Sequence, residues 1–202
     1  MQHAHTCNAG WQTSRTICMR NNWRNFIPGI NTEYASWLQD HGSLTRRIQQ
    51  NCGQFKVRNV FTGLSMASID EASVLKLPRR QHIYTRDVFL YADDKPVVYA
   101  HSVVAGQQLR GAWHTLQHLG SRSLGSLLFT HPLVQRAPLR YRSLNAGHPL
   151  FRQATRLVDN PPSHLWARRS LFTLHDAPLL VTEIFLPEIL KLKINVKSTD
   201  RQ

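Results

Sequence analysis

The amino-acid sequence predicts a single α+β domain in which a largely antiparallel β-sheet carries short helices. Short helices come first along the chain, then strands, a helical insert and further strands. This order is typical of antiparallel sheets, because the strands do not alternate with long helices. The length of 202 residues, of which 42% are hydrophobic and 18% charged, is enough for one well-packed core. We expect the domain at residues 31–190, after a flexible extension (1–30) and before a basic tail (191–202).

Capping residues mark where the predicted helices begin. Asn31 or Thr32 can cap the first helix. Ser43 and Ser123 can cap two others, and Gly120 is expected to end the insert helix. The predicted helices are Thr32–Leu38, Leu44–Asn51, Gln107–Leu119 and a short turn at Ser123–Phe129.

Apolar and β-branched runs between turn residues predict the strands of the sheet. The link Ala92–Pro96 has the composition of a turn, so the strands on either side of it are expected to form an antiparallel hairpin. Residues 147–163 contain three prolines and predict a partly helical excursion. The predicted strands are Gln54–Ser68, Gln81–Ala92, Pro96–Ala105, Gln135–Leu144, His164–Leu174 and Pro178–Pro187.

One carboxylate lies in the most apolar of these strands. Glu183 shares a strand face with Leu179, Val181 and Phe185, because side chains alternate between the two faces. A carboxylate on such a face loses hydration, which is costly without a partner. Glu183 is therefore expected either to pair with an arginine or to work as an acid in a dry pocket.

The arginine that suits this carboxylate is Arg86. It shares a face with Val88, and a guanidinium on a partly apolar face needs a carboxylate that it can hold through two parallel hydrogen bonds. Two interpretations stay open. Arg86 either pairs inside the protein, with Glu183 or beside Asp87, or it binds a ligand.

Two leucines follow the capping serines at predicted helix starts. The first N–H groups of a helix have no partner within the helix, so those of Leu44 and Leu124 can bind an anion. Ordinary capping by Ser43 and Ser123 is the alternative.

Several histidines and arginines have less definite roles. His101 is either a core histidine that a hydrogen bond satisfies or part of a pocket wall, and of Arg168 and Arg169 one is expected outside and one toward an interior partner. His114 and His118 are four residues apart, but no Glu follows His114 as in the zinc-protease motif, so they predict a polar helix face rather than a metal site. Four possible metal ligands lie near the N-terminus, but their spacing matches no closed zinc site. They are His3, His5, Cys7 and Cys18.

The charge is strongly positive, with 25 Lys and Arg against 12 Asp and Glu, a formal net charge of +13 and a pI near 10.5. Such a field attracts polyanions, acidic membrane surfaces or small anionic substrates. We find no Lys/Arg run, RNA-binding aromatic signature, membrane span or secretory signal, and three cysteines are typical of a reducing compartment. We therefore predict a cytoplasmic protein with no nucleic-acid partner and no stable membrane insertion.

The chain resembles the chorismate lyase family. The resemblance covers residues 37–187, most of the chain, and rests on the order and spacing of several short segments. They are Trp37–Leu38, Gly42–Arg47, Arg86–Leu90, Leu119–Gly125, Leu165–Ser170 and Pro178–Pro187.

This resemblance implies a monomeric α+β enzyme with a ligand beneath helical flaps. It implies a lyase that converts chorismate to 4-hydroxybenzoate and pyruvate at the start of ubiquinone biosynthesis, with no metal or redox cofactor. In such enzymes an arginine at the position of Arg86 grips the ring carboxylate, assisted by backbone N–H groups at the positions of Leu44 and Leu124. A glutamate at the position of Glu183 meets the ring hydroxyl. Some relatives carry an arginine near the position of His101.

Two other kinds of protein also fit the sequence. One is a non-enzymatic effector-binding domain of the same fold that binds a small anion, although no helix-turn-helix is evident before Asn31. The other is a basic protein that binds nucleic acid or membrane surfaces without catalysis.

Overall fold

A computed structural model describes residues 22–27, 32–78 and 80–192. Within these residues the chain forms one seven-stranded antiparallel sheet with short helices on both faces, so the predicted α+β class is confirmed. The α-helices are α1 (Thr32–Leu38), α2 (Leu44–Gln50), α3 (Ile69–Val74), α4 (Leu124–Thr130) and α5 (Pro149–Ala154). The strands are β1 (Phe55–Met66), β2 (His82–Ala92), β3 (Lys95–Ala105), β4 (Gln135–Arg136), β5 (Arg140–Asn145), β6 (His164–Leu174) and β7 (Ala177–Phe185).

The strand order places Glu183 near the middle of the sheet. The order is β1-β2-β3-β7-β6-β4, and β5 also pairs with β6. Because β7 lies between β3 and β6 and is covered on both faces, its sequence is apolar at nearly every position.

Tight turns join the paired strands. Asp93 and Asp94 adopt φ values of 49° and 62° between β2 and β3, which confirms the predicted hairpin. His175 and Asp176 adopt 48° and 60° between β6 and β7. Two consecutive residues with positive φ give the turn a twist that matches that of the strands it joins, and Asp tolerates this conformation better than most residues.

The helices divide between the two faces of the sheet. On one face, α1, α2 and α4 pack against apolar residues such as Val88 and Phe172. On the other face, α3 packs against Ile83, and α5 packs against Phe89 and Tyr99. The face beneath α2 and α4 carries the pocket described below.

The predicted insert helix at Gln107–Leu119 is wrong. The chain instead makes two short 3₁₀ turns, Gly106–Arg110 and His114–His118. Gly111 separates them with a non-helical backbone (φ −125°, ψ −121°), and the indole of Trp113 donates to the carbonyl of Ala177 at 3.0 Å. Burial of Trp113 against the sheet thus outweighs the local preference for one helix.

The predicted strand Gln135–Leu144 is likewise two strands. The N–H of Ala137 still donates to Leu171 at 2.8 Å, but Pro138 has no N–H to offer and the ladder stops there. It resumes at Arg140, which pairs with Arg169 of β6.

Part of the predicted N-terminal extension packs on the domain. Trp23 is 5% exposed and packs beside α5, and Arg24 exchanges two backbone hydrogen bonds with Tyr141. The buried part of the chain therefore begins before residue 31. Residues 1–21 and the tail beyond residue 192 lie outside the described residues, and no helix among those described is long and apolar enough to cross a bilayer.

Candidate functional site

Two neighbouring rows of side chains cross β2, β3, β7 and β6 on the face beneath α2 and α4. Residues two apart on a strand share a face, so both rows point the same way. Small or short side chains occupy the middle of the first row and part of the second, which leaves space above the sheet. The rows are Arg86–Ser102–Val181–Ser170 and Val88–Ala100–Glu183–Arg168.

A pocket lies above these rows of side chains, between the sheet and the starts of α2 and α4. Leu44 of α2 and Leu124 and Leu128 of α4 form its roof. The four residues predicted from the sequence, Arg86, Glu183, Leu44 and Leu124, all line it. Its polar lining residues are Arg86, Ser102, Ser123, Arg136, Ser170 and Glu183.

Arg86 is a buried cation that has no acidic partner among the residues the structure describes. It is 3% exposed, and its Nη2 donates to the carbonyls of Gly120 (2.9 Å) and Arg122 (2.8 Å), just before α4. Within the described residues its Nε makes no hydrogen bond, and no carboxylate pairs with the guanidinium. Burial lowers the pKa of Arg86. An uncompensated buried charge is costly, so the site favours an anionic ligand.

The internal pair between Arg86 and Glu183, one of the interpretations that the sequence leaves open, does not form. Glu183 instead accepts a hydrogen bond from Nε of Arg168 at 2.6 Å, because the two residues are directly opposite each other on β7 and β6. The Glu183 side chain keeps 18% of its surface exposed and borders the pocket, so it remains able to accept a further hydrogen bond. An Arg86–Asp87 pair is also absent from the described residues, since Asp87 lies on the opposite face.

Arg168 holds Glu183 from the adjacent strand. It is fully buried, and its Nη1 donates to the carbonyls of Trp37, Leu38 and Asp40 at the end of α1. These bonds fix the guanidinium, which in turn fixes the carboxylate of Glu183. The expectation that one of the two adjacent arginines lies outside is wrong, because Arg169 is also buried and pairs with Asp70 at 2.6 Å.

Both predicted helix starts are observed at the pocket roof. Ser43 caps α2 by accepting from the N–H of Arg46, and Ser123 caps α4 by accepting from the N–H of Gly125. Neither cap binds the N–H of Leu44 or Leu124, so capping and anion binding are compatible here.

The two helix starts also touch each other. Thr45 and Ser123 join their hydroxyls at 2.6 Å across α2 and α4. A Cβ added to Gly125 would lie 3.0 Å from Oγ1 of Thr45 and 3.3 Å from the hydroxyls of Ser43 and Ser123. Glycine at this position therefore allows α2 and α4 to approach closely over the pocket.

Arg136 is a pocket residue that sequence reasoning missed. It lies at the end of the short strand β4, where its Nε donates to Ser170 at 2.8 Å and its Nη1 to the carbonyl of His41 at 2.7 Å. The guanidinium also lies 5.3 Å from the ring centroids of both Phe129 and Phe172. The sequence signal around it is weak, since the strand has two residues and only its pairing with β6 brings Arg136 to the pocket.

His101 is a core histidine on the opposite face of the sheet from the pocket. Its Nδ1 lies 2.6 Å from Asp87 and its Nε2 lies 2.7 Å from Glu71 of α3. Burial alone would lower the pKa of His101, but the two carboxylates outweigh burial and raise it to about 9. The first of the two interpretations of His101 is therefore the correct one.

The other histidine candidates take no part in the site. The rings of His114 and His118 lie 5.1 Å apart and are tilted by 52° on an exposed 3₁₀ turn. Among residues 22–27, 32–78 and 80–192, no group of three or more His, Cys, Asp and Glu side chains is arranged to hold a metal ion. The N-terminal set of His3, His5, Cys7 and Cys18 lies outside the described residues.

One solved structure with a similar fold is the ligand-binding domain of a putative GntR-family transcriptional regulator from Bordetella bronchiseptica, with a TM-score of 0.50 and 18% identity over 67% of this chain and 86% of that one. The chain resembles the C-terminal domain of PhnF with a TM-score of 0.52 and 15% identity, over 69% of this chain and 87% of that one. It resembles the effector domain of PhnF from Mycobacterium smegmatis with a TM-score of 0.51 and 17% identity, over 73% and 90% of the two chains. At such identities the likeness concerns the fold alone.

Sequence relatives are much more similar. A probable chorismate pyruvate-lyase of Nitrosospira multiformis is 49% identical over 173 residues, which span 85% of this chain and 96% of the relative. A probable chorismate pyruvate-lyase of Nitrosomonas europaea is 50% identical over 156 residues, which span 77% and 88% of the two chains. The family model for chorismate lyase matches residues 10–194. With a family match over most of its length and relatives at half identity, this chain belongs to the chorismate lyase family.

Proposed function

We propose that the pocket binds chorismate and converts it to 4-hydroxybenzoate and pyruvate, the reaction that begins ubiquinone biosynthesis. The observation that carries this assignment is the buried guanidinium of Arg86, which faces the pocket without an acidic partner among the described residues. Membership of the family and the names of the relatives support the same reaction.

Arg86 would bind the ring carboxylate. Its Nη2 is already fixed by the two carbonyls before α4, which aims the remaining donors into the pocket. The N–H groups of Leu44 and Leu124 would share the charge of the same carboxylate, since neither is used by its helix cap. A rigid arginine and two backbone donors form a preorganised clamp for a planar anion.

Glu183 would bind the hydroxyl at the other end of the ring. From the strand pairing, its Cα lies two strands and two residues from that of Arg86, a separation of roughly 12 Å at ordinary strand spacing. The two side chains reaching inward across that distance leave room for one six-membered ring. An ionised carboxylate held by Arg168 would accept the hydroxyl's hydrogen bond and oppose positive charge that develops on the ring.

The reaction needs little beyond orientation and charge stabilisation. The hydrogen on the hydroxyl-bearing carbon moves to the enolpyruvyl methylene while the ether C–O bond breaks, which releases pyruvate and makes the ring aromatic. All atoms of the two products come from chorismate, so the reaction needs no second substrate. The apolar roof of Leu44, Leu124 and Leu128 would hold the ring in a reactive geometry and exclude water.

The direct test is incubation of the purified protein with chorismate. We expect equal amounts of 4-hydroxybenzoate and pyruvate, measured by chromatography and by coupled lactate dehydrogenase. Binding of 4-hydroxybenzoate without turnover would instead indicate an effector-binding domain. Salt-sensitive binding to duplex DNA with no response to chorismate would indicate the basic nucleic-acid binder. The monomeric state and cytoplasmic location stay predictions, which gel filtration with light scattering and cell fractionation would test.

A further inference from the structure

Arg136 has no role in the binding of the ring carboxylate or the ring hydroxyl, yet it lines the same pocket. It is held from three sides, by Ser170, by the carbonyl of His41 and by the rings of Phe129 and Phe172. Side chains fixed this firmly beside a pocket are suited to meet a ligand with a defined geometry.

In the described part of the chain, the guanidinium of Arg136 has no paired anion. Within the described residues no carboxylate forms an ion pair with it, and its Nη2 makes no hydrogen bond. Burial lowers the pKa of Arg136, while the charge of Glu183 acts in the opposite direction. The pocket therefore contains two cations, Arg86 and Arg136, and its carboxylate Glu183 is already paired with Arg168.

Arg136 and Arg86 lie at opposite ends of the pocket floor. The row that begins with Arg86 on β2 ends with Ser170 on β6, three strand spacings or roughly 14 Å away, and Ser170 holds Nε of Arg136. Glu183 lies in the adjoining row on β7, next to β6. Arg136 is thus at the end of the pocket where Glu183 would hold the ring hydroxyl.

Chorismate has a second carboxylate at that end of the molecule. Its enolpyruvyl ether is attached to the ring carbon next to the hydroxyl-bearing carbon, and the side chain carries its own carboxylate. We propose that Arg136 binds the enolpyruvyl carboxylate and so distinguishes the substrate from the aromatic product. This inference rests on the proposed function, because it concerns the second half of the same substrate.

The two arginines would therefore bind different groups of the substrate. Arg86 and Glu183 contact groups that chorismate and 4-hydroxybenzoate share, so they bind both. Arg136 contacts the group that departs, so it contributes to substrate recognition and to orientation of the enolpyruvyl methylene, and adds nothing to the affinity for 4-hydroxybenzoate.

Arg136→Met tests this division, since methionine keeps an unbranched stem and removes the charge. We expect kcat/KM for chorismate to fall at least 30-fold, mainly through KM. The Kd for 4-hydroxybenzoate, measured by fluorescence titration or calorimetry, should change less than threefold. Arg136→Lys should recover part of the loss in kcat/KM. Arg86→Met should weaken the binding of both chorismate and 4-hydroxybenzoate. The control Arg140→Met, at an exposed residue, should weaken the binding of neither.

Each outcome decides the matter. Equal weakening of both ligands in Arg136→Met would show that Arg136 only supports the pocket, and unchanged kcat/KM would show that it does not touch the substrate. If that variant fails to fold, as judged by circular dichroism, Arg136→Gln replaces it under the same criteria. A wild type that produces no 4-hydroxybenzoate from chorismate would refute the proposed function first, whereas an active wild type with no selective effect would refute only the role of Arg136.

Discussion

Three buried arginines of the sheet, one on β2 and two on β6, differ in their binding partners. Arg168 pairs with Glu183 and Arg169 pairs with Asp70, whereas Arg86 has no carboxylate within the described residues. A protein rarely leaves a buried cation uncompensated, because removing it from water without an anion is costly. The unpaired arginine is therefore the one that indicates a ligand, and the paired ones are structural.

The first prediction concerns the planar set of N–H donors on the Arg86 guanidinium. In Arg86→Lys, a single ammonium cannot hold the carbonyls before α4 and a ligand carboxylate in the same geometry. We expect kcat/KM for chorismate to fall by a factor equivalent to about 1–3 kcal/mol, with a similar weakening of 4-hydroxybenzoate binding. Steady-state kinetics and product titration measure both. Near-wild-type turnover in Arg86→Ala would remove Arg86 from the site.

The second prediction separates the two roles of Glu183. In Glu183→Gln we expect the fold to be retained and turnover to be strongly reduced, because the amide cannot oppose positive charge on the ring. The variant should also lose about 1–3 kcal/mol in free energy of unfolding, since Arg168 keeps its charge and loses its anion. Kinetics and urea denaturation measure the two effects.

A double variant provides the control for Glu183. Adding Arg168→Met to Glu183→Gln removes the uncompensated cation, so part of the stability should return. Turnover should stay low. Recovery of activity together with stability would mean that Glu183 matters only for folding.

At the scale of single residues, strand periodicity was enough to find Glu183 and Arg86 but not their partners. Side chains alternate between the two faces of a strand, and this alternation identifies Glu183 and Arg86 as charged residues on apolar faces. The neighbour across the strand depends on which strands pair and in what register, which local sequence does not specify. For this reason the sequence leaves open an Arg86–Glu183 pair that the structure does not form, and it gives no clear signal for Arg136 on its two-residue strand.

At the scale of elements, the contact between α2 and α4 governs the pocket roof. Gly125→Ala would place a methyl group 3.0 Å from Oγ1 of Thr45, so the facing hydroxyls of the two helix starts would have to shift by a few tenths of an ångström. We expect a loss in kcat/KM of about tenfold, because the N–H groups of Leu44 and Leu124 would move from the clamp, at an overpacking cost of about 1–3 kcal/mol. The matched control is Gly106→Ala, whose added Cβ meets nothing within 4 Å. Equal activities of the two variants would contradict the proposed clamp.

Element boundaries followed local chemistry wherever that chemistry was strong. The serine caps of α2 and α4 and the Asp-Asp turn were predictable, because each satisfies the backbone locally. The helix α3 was not predicted, although Ser68 and Glu71 form a capping box that could have revealed it. The insert could not be found this way, since long-range burial of Trp113 decides its shape.

At the scale of the whole molecule, the two faces of the sheet serve different purposes. One face holds the pocket cations Arg86 and Arg136, which form no ion pair with any described residue. The other holds a compensated group in which His101 lies between Asp87 of β2 and Glu71 of α3. Burial would raise the pKa of Glu71, but His101 and the cap at Ser68 outweigh it and lower the pKa to about 2. This group connects α3 to the sheet through charge, in addition to the apolar contact of α3 with Ile83.

The last prediction is a dependence of stability on pH that originates in this group. A histidine whose pKa rises from 6.5 to about 9 on folding stabilises the protein fully below pH 6.5, and that contribution disappears as the pH rises through 9. Glu71 stabilises above pH 4.5 and loses its effect only as the pH falls through about 2, so it is constant in the alkaline window. We expect the free energy of unfolding to fall by on the order of 3 kcal/mol between pH 6.5 and 9.5. In His101→Asn, which cannot be protonated, urea denaturation across the same range should show a markedly flatter profile, and a slope equal to that of the wild type would assign the effect to other groups.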